Sequence, residues 1–304
     1  MIPVRSRGEW VRHARKMEDF GYSTLWIGQH PSWGGIEPIV GLMAAADATT
    51  RLRIASHAFM SDLHNPVLLA QAATTLDLFS EGRLEFGLGA GWLPSDYETC
   101  GVPFDPPSVR IARLEEAVRV IKGLWDPEPE PFSGAYYHVI PPKPPLEPIQ
   151  RPHPPLFMGG GGRRMLTLAA READIVGLQD RAGTSAGTAP AEATDEQVAW
   201  VREAAGLRST ALEIQAGMLA VRVTADRRRA AEEIAAWMAS LPSPLTSNLT
   251  AAQVLASVRF LVGTVDEIVD DLEVRRDRFG MSYVTVFGED AEAFSPVVAR
   301  LAGT

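Results

Sequence analysis

Glu18-Asp19-Phe20-Gly21-Tyr22-Ser23-Thr24-Leu25-Trp26-Ile27-Gly28-Gln29-His30 holds the end of a helix, its stop and a short strand. Upstream, Trp10, Ala14, Met17 and Phe20 recur at helical spacing, and Gly21 supplies the C-terminal stop. Thr24 to Ile27 is an apolar strand that ends on Gly28, Gln29 and His30. The same succession returns along the chain. Helices are predicted over 38–50, 66–79, 110–124, 163–172, 195–205, 226–239 and 265–279. Strands are predicted over 53–59, 83–88, 156–158, 174–178, 213–223 and 282–287. Continuous apolar strands alternating with helices are the pattern of a parallel sheet covered on both faces.

That pattern predicts a single (β/α)8 TIM-type barrel over residues 1–304. Its seven readable strands leave the first strand missing or truncated at the N-terminus, because Met1 to Val4 is short and interrupted by Pro3. The alternation breaks between Asp126 and Pro155, where 11 of the 23 prolines fall. Proline neither donates to a ladder nor sits in a helix interior, so an irregular insertion is expected there, with a hairpin around Tyr136 to Val139.

Composition narrows the function. A formal net charge of -9 without a basic stripe argues against nucleic acid and anionic membrane as partners. Cys100 is the only cysteine, which excludes an internal disulfide and a thiolate metal cage. No uninterrupted apolar stretch nears the ~18 residues of a membrane span. A soluble, cytoplasmic protein is the expectation, and no His, Asp and Glu set has metal spacing.

In α/β barrels the chemistry gathers at the carboxyl ends of the strands. His30 ends the first readable strand, where an imidazole can serve as acid or base or simply as a bonded loop side chain. Ser56 and His57 end the next, and His57 can equally be a buried, satisfied core histidine. Gly89, Gly91 and Trp92 follow the strand from Arg83. Gly87-Leu88-Gly89-Ala90-Gly91-Trp92 is no dinucleotide fingerprint, since Trp92 stands where the third glycine belongs and no long helix follows at once. Gly159-Gly160-Gly161-Gly162 precede a helix with Arg163 at its start, which suits backbone N–H groups approaching a phosphate; the alternative is a flexible turn.

Taken together, residues 18–30, Asn65 to Ala70, Gly82 to Trp92, Arg110 to Trp125 and Pro155 to Gly162 resemble the luciferase-like oxidoreductases. The resemblance runs over nearly the whole chain and is nearest to the branch that uses coenzyme F420, a deazaflavin. It implies hydride transfer between F420 and a small organic substrate, with His30 beside the coenzyme ring. Ser56 and His57 are then expected at a non-prolyl cis peptide behind the ring. Gly89, Gly91 and Trp92 line the ring, and Gly159, Gly160, Gly161, Gly162 and Arg163 take the phosphate. FMN with a monooxygenase reaction is the alternative, and a degenerate, non-catalytic ligand-binding barrel a further one. Gln29 stands where such proteins commonly carry aspartate, and Leu93-Pro94 where they often carry Asn-Glu.

Overall fold

The computed structural model describes residues 5–180, 191–241 and 247–303. The chain divides into two compact units, Pro3–Met158 and Gly159–Thr304. Met1 to Val4 and the segment 182–190 lie outside the described residues.

The first unit opens with α1 (Arg7–Asp19), β1 (Thr24–Ile27), α2 (Pro38–Ala48), β2 (Arg53–Ser56) and β3 (Phe59–Met60). It continues with α3 (Pro66–Phe79), β4 (Leu84–Gly89), α4 (Pro94–Cys100) and α5 (Pro107–Leu124). The small strands β5 (Phe132–Ser133) and β6 (His138–Val139) follow, and then β7 (Leu156–Gly160). Side chains mark the starts of the helices. Ser6 accepts from the Glu9 N–H, Asn65 accepts from Val67 and Leu68, and proline occupies the first turn of α2, α3, α4 and α5. β1, β2, β4 and β7 pair in parallel, while β3 joins β4 at Phe59↔Leu88. Leu42, Ile54, Leu84, Phe86 and Leu114 have no exposed surface and form the centre of this unit.

The second unit carries α6 (Arg163–Glu172), β8 (Ile175–Leu178), α7 (Ala191–Ala205), β9 (Glu213–Gly217) and β10 (Ala220–Val223). Next come α8 (Arg227–Ser240), α9 (Ala251–Ala256), β11 (Phe260–Gly263), α10 (Val265–Phe279), β12 (Met281–Thr285) and α11 (Ala291–Leu301). β8, β9 and β12 form one parallel ladder and β10 with β11 another. The second ladder has its own core, in which Ala231, Ile234, Met238 and Val254 pack on Phe260 and Val262.

All seven expected strands are present, in the order β1-β2-β4-β7-β8-β9-β12. The expected (β/α)8-type architecture is present in part: among the described residues the path has seven parallel strands running from β1 to β12, short of a fully closed eight-stranded barrel. The strand read over 213–223 is two strands. At the break the Met218 N–H donates to the Thr285 carbonyl and the Leu219 N–H to that of Arg259, so the chain passes from one ladder to the other. The helices α4, α9 and α11 and the strand β11 had no counterpart in the sequence reading. The proline-rich stretch is an irregular excursion, and its hairpin pairs Phe132 with Val139.

Candidate active site

β1 delivers Gln29 and His30 at its carboxyl end, and each is fixed by a different side chain. The Gln29 Oε1 accepts from the Met60 N–H at 2.8 Å and lies 3.0 Å from Nε2 of His64. Gln29 thus ties β3 and the turn behind it to β1. His64, pushed below its ordinary value by burial, suits that neutral partner.

His30 lies 2.8 Å through Nδ1 from Oδ2 of Asp96, a carboxyl with no exposed surface near the start of α4. The Asp96 Oδ1 accepts from the Ser32 N–H at 3.0 Å and the Ser32 hydroxyl at 2.6 Å. Two tryptophans flank the imidazole. Trp33 stacks on it at 4.1 Å between ring centroids, and Trp92 meets it edge-on at 5.8 Å. Both indoles are about half exposed, at 48% and 49%, and therefore offer flat apolar walls beside a polar group.

His57 adjoins this group. A Cβ on Gly28 would come within 3.3 Å of the His57 carbonyl and 3.7 Å of the His30 ring, so the two histidines approach across a residue that has no side chain. His57 packs its ring against Phe157 at 4.2 Å and Trp26 at 5.0 Å. The His57–Ala58 peptide is cis, one bond beyond the expected Ser56-His57 position, and Gly89 faces Ala58. The Ser56 hydroxyl is committed to β4, donating to the Gly87 carbonyl at 3.0 Å and accepting the Gly87 N–H at 2.8 Å.

The loop that presents Trp92 is held from behind. Arg110 donates to the carbonyls of Ala90, Gly91 and Asp105 and lies over the rings of Tyr97 and Phe104. The Tyr97 hydroxyl lies 3.0 Å from both Asp62 Oδ2 and the Ala90 carbonyl, two acceptors that share its single proton. Burial, with the Asp62 charge added, pushes that phenol well above its ordinary range, so it acts as a donor and not as an acid.

Gly159 to Gly162 belong to the second unit. Gly159 and Gly160 are the last residues of β7, and Gly162 caps α6 with extended backbone and no side-chain hydrogen bond. A Cβ on Gly162 would meet nothing within 4 Å. Arg163 is ion-paired to Glu203 at 3.0 Å, with both side chains largely in solvent. Gln197 braces the stretch by donating to the carbonyls of Gly161 and Gln179.

The structure thus gathers His30, His57, Gly89 and Trp92 in the first unit and places Gly159 to Arg163 in the second. The sequence reading missed Asp96, Trp33 and Arg110. Asp96 is 66 residues from His30, and no spacing rule joins a strand end to a later helix; only its place two residues after the Leu93-Pro94 break pointed to the same mouth. It also missed Arg259, a buried guanidinium that donates to the Leu178 carbonyl and Gln179 Oε1 and sits 3.5 Å from Asp180. Burial pulls this guanidinium below its ordinary value against the raising effect of Asp180.

A strand-end histidine backed by a buried carboxyl thus stands between two half-exposed indoles and beside a cis peptide. Residues 4–281 match the luciferase-like monooxygenase family, and the chain belongs to it. Over 131 residues it is 32% identical to the FMNH(2)-dependent dimethylsulfone monooxygenase of Pseudomonas putida, covering 42% of this chain and 35% of that one. Over 174 residues it is 29% identical to the F420-dependent glucose-6-phosphate dehydrogenase of Amycolatopsis mediterranei (strain U-32), covering 54% and 51%. The matches thus span between a third and a half of these relatives' lengths. The coenzyme F420-dependent tetrahydromethanopterin reductase of Methanopyrus kandleri has a similar fold, with a TM-score of 0.79 at 17% identity over 99% of this chain and 97% of that one. No helix among the described residues is long and apolar enough to cross a membrane.

Proposed function

We propose that the chain is an F420-dependent oxidoreductase that moves a hydride between the deazaflavin and a small organic substrate, working as a homodimer. The observation that carries this reading is His30, held at a strand end by a buried carboxyl between two half-exposed tryptophans. The residues fit such a coenzyme. Gly28 and Gly89 keep Cβ atoms away from His30 and the His57–Ala58 peptide, where a flat ring needs backbone contact. In the second unit, Gly162 leaves open space at the N-terminus of α6, where unpaired N–H groups and the helix dipole favour an anion such as a phosphate. When bound, the deazaflavin supplies the two-electron hydride chemistry. His30 would hold or release the proton that accompanies it at the substrate, and Trp33 and Trp92 would keep water from the reacting face.

FMN with oxygen chemistry is the second reading, favoured by the 32% identity to an FMNH(2)-dependent enzyme over 131 residues. Titration of the purified chain with F420 and separately with FMN, followed by absorbance and fluorescence, decides between them. Saturable F420 binding is expected. Tight FMN binding without F420 binding would reverse the assignment, and binding of neither would leave a ligand-binding protein of another kind.

A further inference from the structure

Among the described residues, the hydrogen bonds of Asp96 reach the segment from His30 to Ser32 or its own helix turn. Ser32 is itself steadied, since its hydroxyl receives the hydroxyl of Ser95 at 3.0 Å. No lysine or arginine is ion-paired to Asp96 among the described residues, and His30 is its one ionic partner there. Burying a carboxyl this completely is costly unless hydrogen bonds and an opposite charge compensate it. The two bonds to Ser32 would by themselves staple the loop to α4. The 2.8 Å approach to Nδ1 does something a staple does not require: it selects which imidazole nitrogen carries the proton.

We infer that Asp96 is a positioning residue that holds His30 as the Nδ1–H tautomer, leaving Nε2 as the nitrogen that accepts a proton. The Ser32 N–H can only donate, so Oδ1 is an acceptor, and the carboxylate as a whole is polarised to accept from Nδ1–H. Among the described residues Nε2 of His30 makes no hydrogen bond. A proton taken at Nε2 converts the ring to imidazolium. That charge then meets the carboxylate at 2.8 Å and the face of Trp33 at 4.1 Å. The use of Nε2 as a base rests on the proposed oxidoreductase reading, whereas the tautomer does not.

The test is long-range proton–nitrogen NMR of uniformly 15N-labelled protein at about pH 8, where an ordinary histidine is neutral. His30→Gln assigns the signal. Wild type is expected to show the Nδ1–H pattern. In Asp96→Asn the new amide N–H donates to Nδ1, and the pattern is expected to invert to Nε2–H. Ser32→Ala leaves the carboxylate in place and is expected to keep the wild-type pattern, which separates the tautomer lock from general loosening of the loop. An Nε2–H ring in wild type, or an unchanged Nδ1–H ring in folded Asp96→Asn, overturns the inference. With a turned-over substrate in hand, Asp96→Asn should lower kcat about 10²–10⁴-fold while the F420 dissociation constant stays within a few-fold. Wild-type protein that binds F420 but carries the Nε2–H ring sinks the tautomer lock alone. Wild-type protein with the Nδ1–H ring that binds no F420 sinks the coenzyme assignment alone.

Discussion

The two units differ in their histidines and in particular glycines near their strand ends. All six histidines of the chain fall between His13 and His153, in the first unit, and its glycines at 87 and 91 are forced by packing. A Cβ on Gly87 would lie 2.0 Å from the Ser56 carbonyl oxygen, and Gly91 combines a φ of +68° with the Tyr97 hydroxyl 2.2 Å from the Cβ position. The second unit holds no histidine, and Gly162 faces open space without positive φ. A glycine that packing demands explains itself by packing. One that neither packing nor backbone demands is the better sign of a ligand's approach. All the imidazoles thus lie in the first unit, and the second offers, at Gly162, open space at a helix start.

The sharpest break in that comparison is Gly87→Ala. The clash is with backbone, which cannot rotate away, so the variant should lose about 3 kcal/mol of stability, the upper end for an overpacked interior, or fail to fold. Urea denaturation measures it. A loss under about 1 kcal/mol would mean that the Ser56–Gly87 contact relaxes easily.

Gly162→Asp should separate fold from binding. Aspartate is a good N-cap, so α6 should be unchanged or stabilised by a few tenths of a kcal/mol. A negative charge at a helix start that receives a phosphate should still weaken coenzyme binding at least tenfold. Coenzyme titration beside thermal melting reads both effects. Undiminished affinity would place the anion elsewhere.

The smallest effect is acid loosening of the first unit. Burial, with Lys16 nearby, holds His13 below its ordinary value of 6.5, and burial does the same to His64 against the raising effect of Glu37. Depressed folded values mean that the unfolded chain binds more protons below about pH 6.5. The stability that depends on neutral His13 and His64 is therefore complete above that pH and declines as pH falls toward the folded values. Hydrogen exchange between pH 7 and 5 should show earlier opening around residues 10–17 and 60–66 than in β8 and β9. Equal opening in both units would contradict the division.

Most of the framework was legible because parallel strands buried on both faces are short apolar runs bounded by glycine and proline, as at Thr24 to Ile27 and Leu84 to Gly89. The strand β11, Phe260–Gly263, is equally apolar, but four residues cannot distinguish a buried strand from a helix turn by periodicity. The break of the 213–223 run was invisible because the apolar character continues through Met218, Leu219, Ala220 and Val221; only the separate partners of Met218 and Leu219, Thr285 and Arg259, divide it. The strand-end rule put His30 and Trp92 just beyond β1 and β4, and there the structure has them. Asp96 was missed, because its role depends on a contact between distant segments that no local pattern encodes.

Glu116 has a consequence of another kind. Its carboxylate receives the backbone N–H groups of Ala135, Tyr136 and Tyr137, and although burial raises it, those amides and Arg119 hold it below the ordinary carboxyl value. Such a fastening is blind to side chains, since every residue but proline carries the same N–H. The identity of residue 135 is therefore free to drift while the hairpin stays attached to α5, whereas the ring of Tyr136 also meets the Arg113 guanidinium at 5.5 Å. Selection can re-letter that position of the excursion, and with it the surface it offers to solvent, without first having to rebuild its mooring.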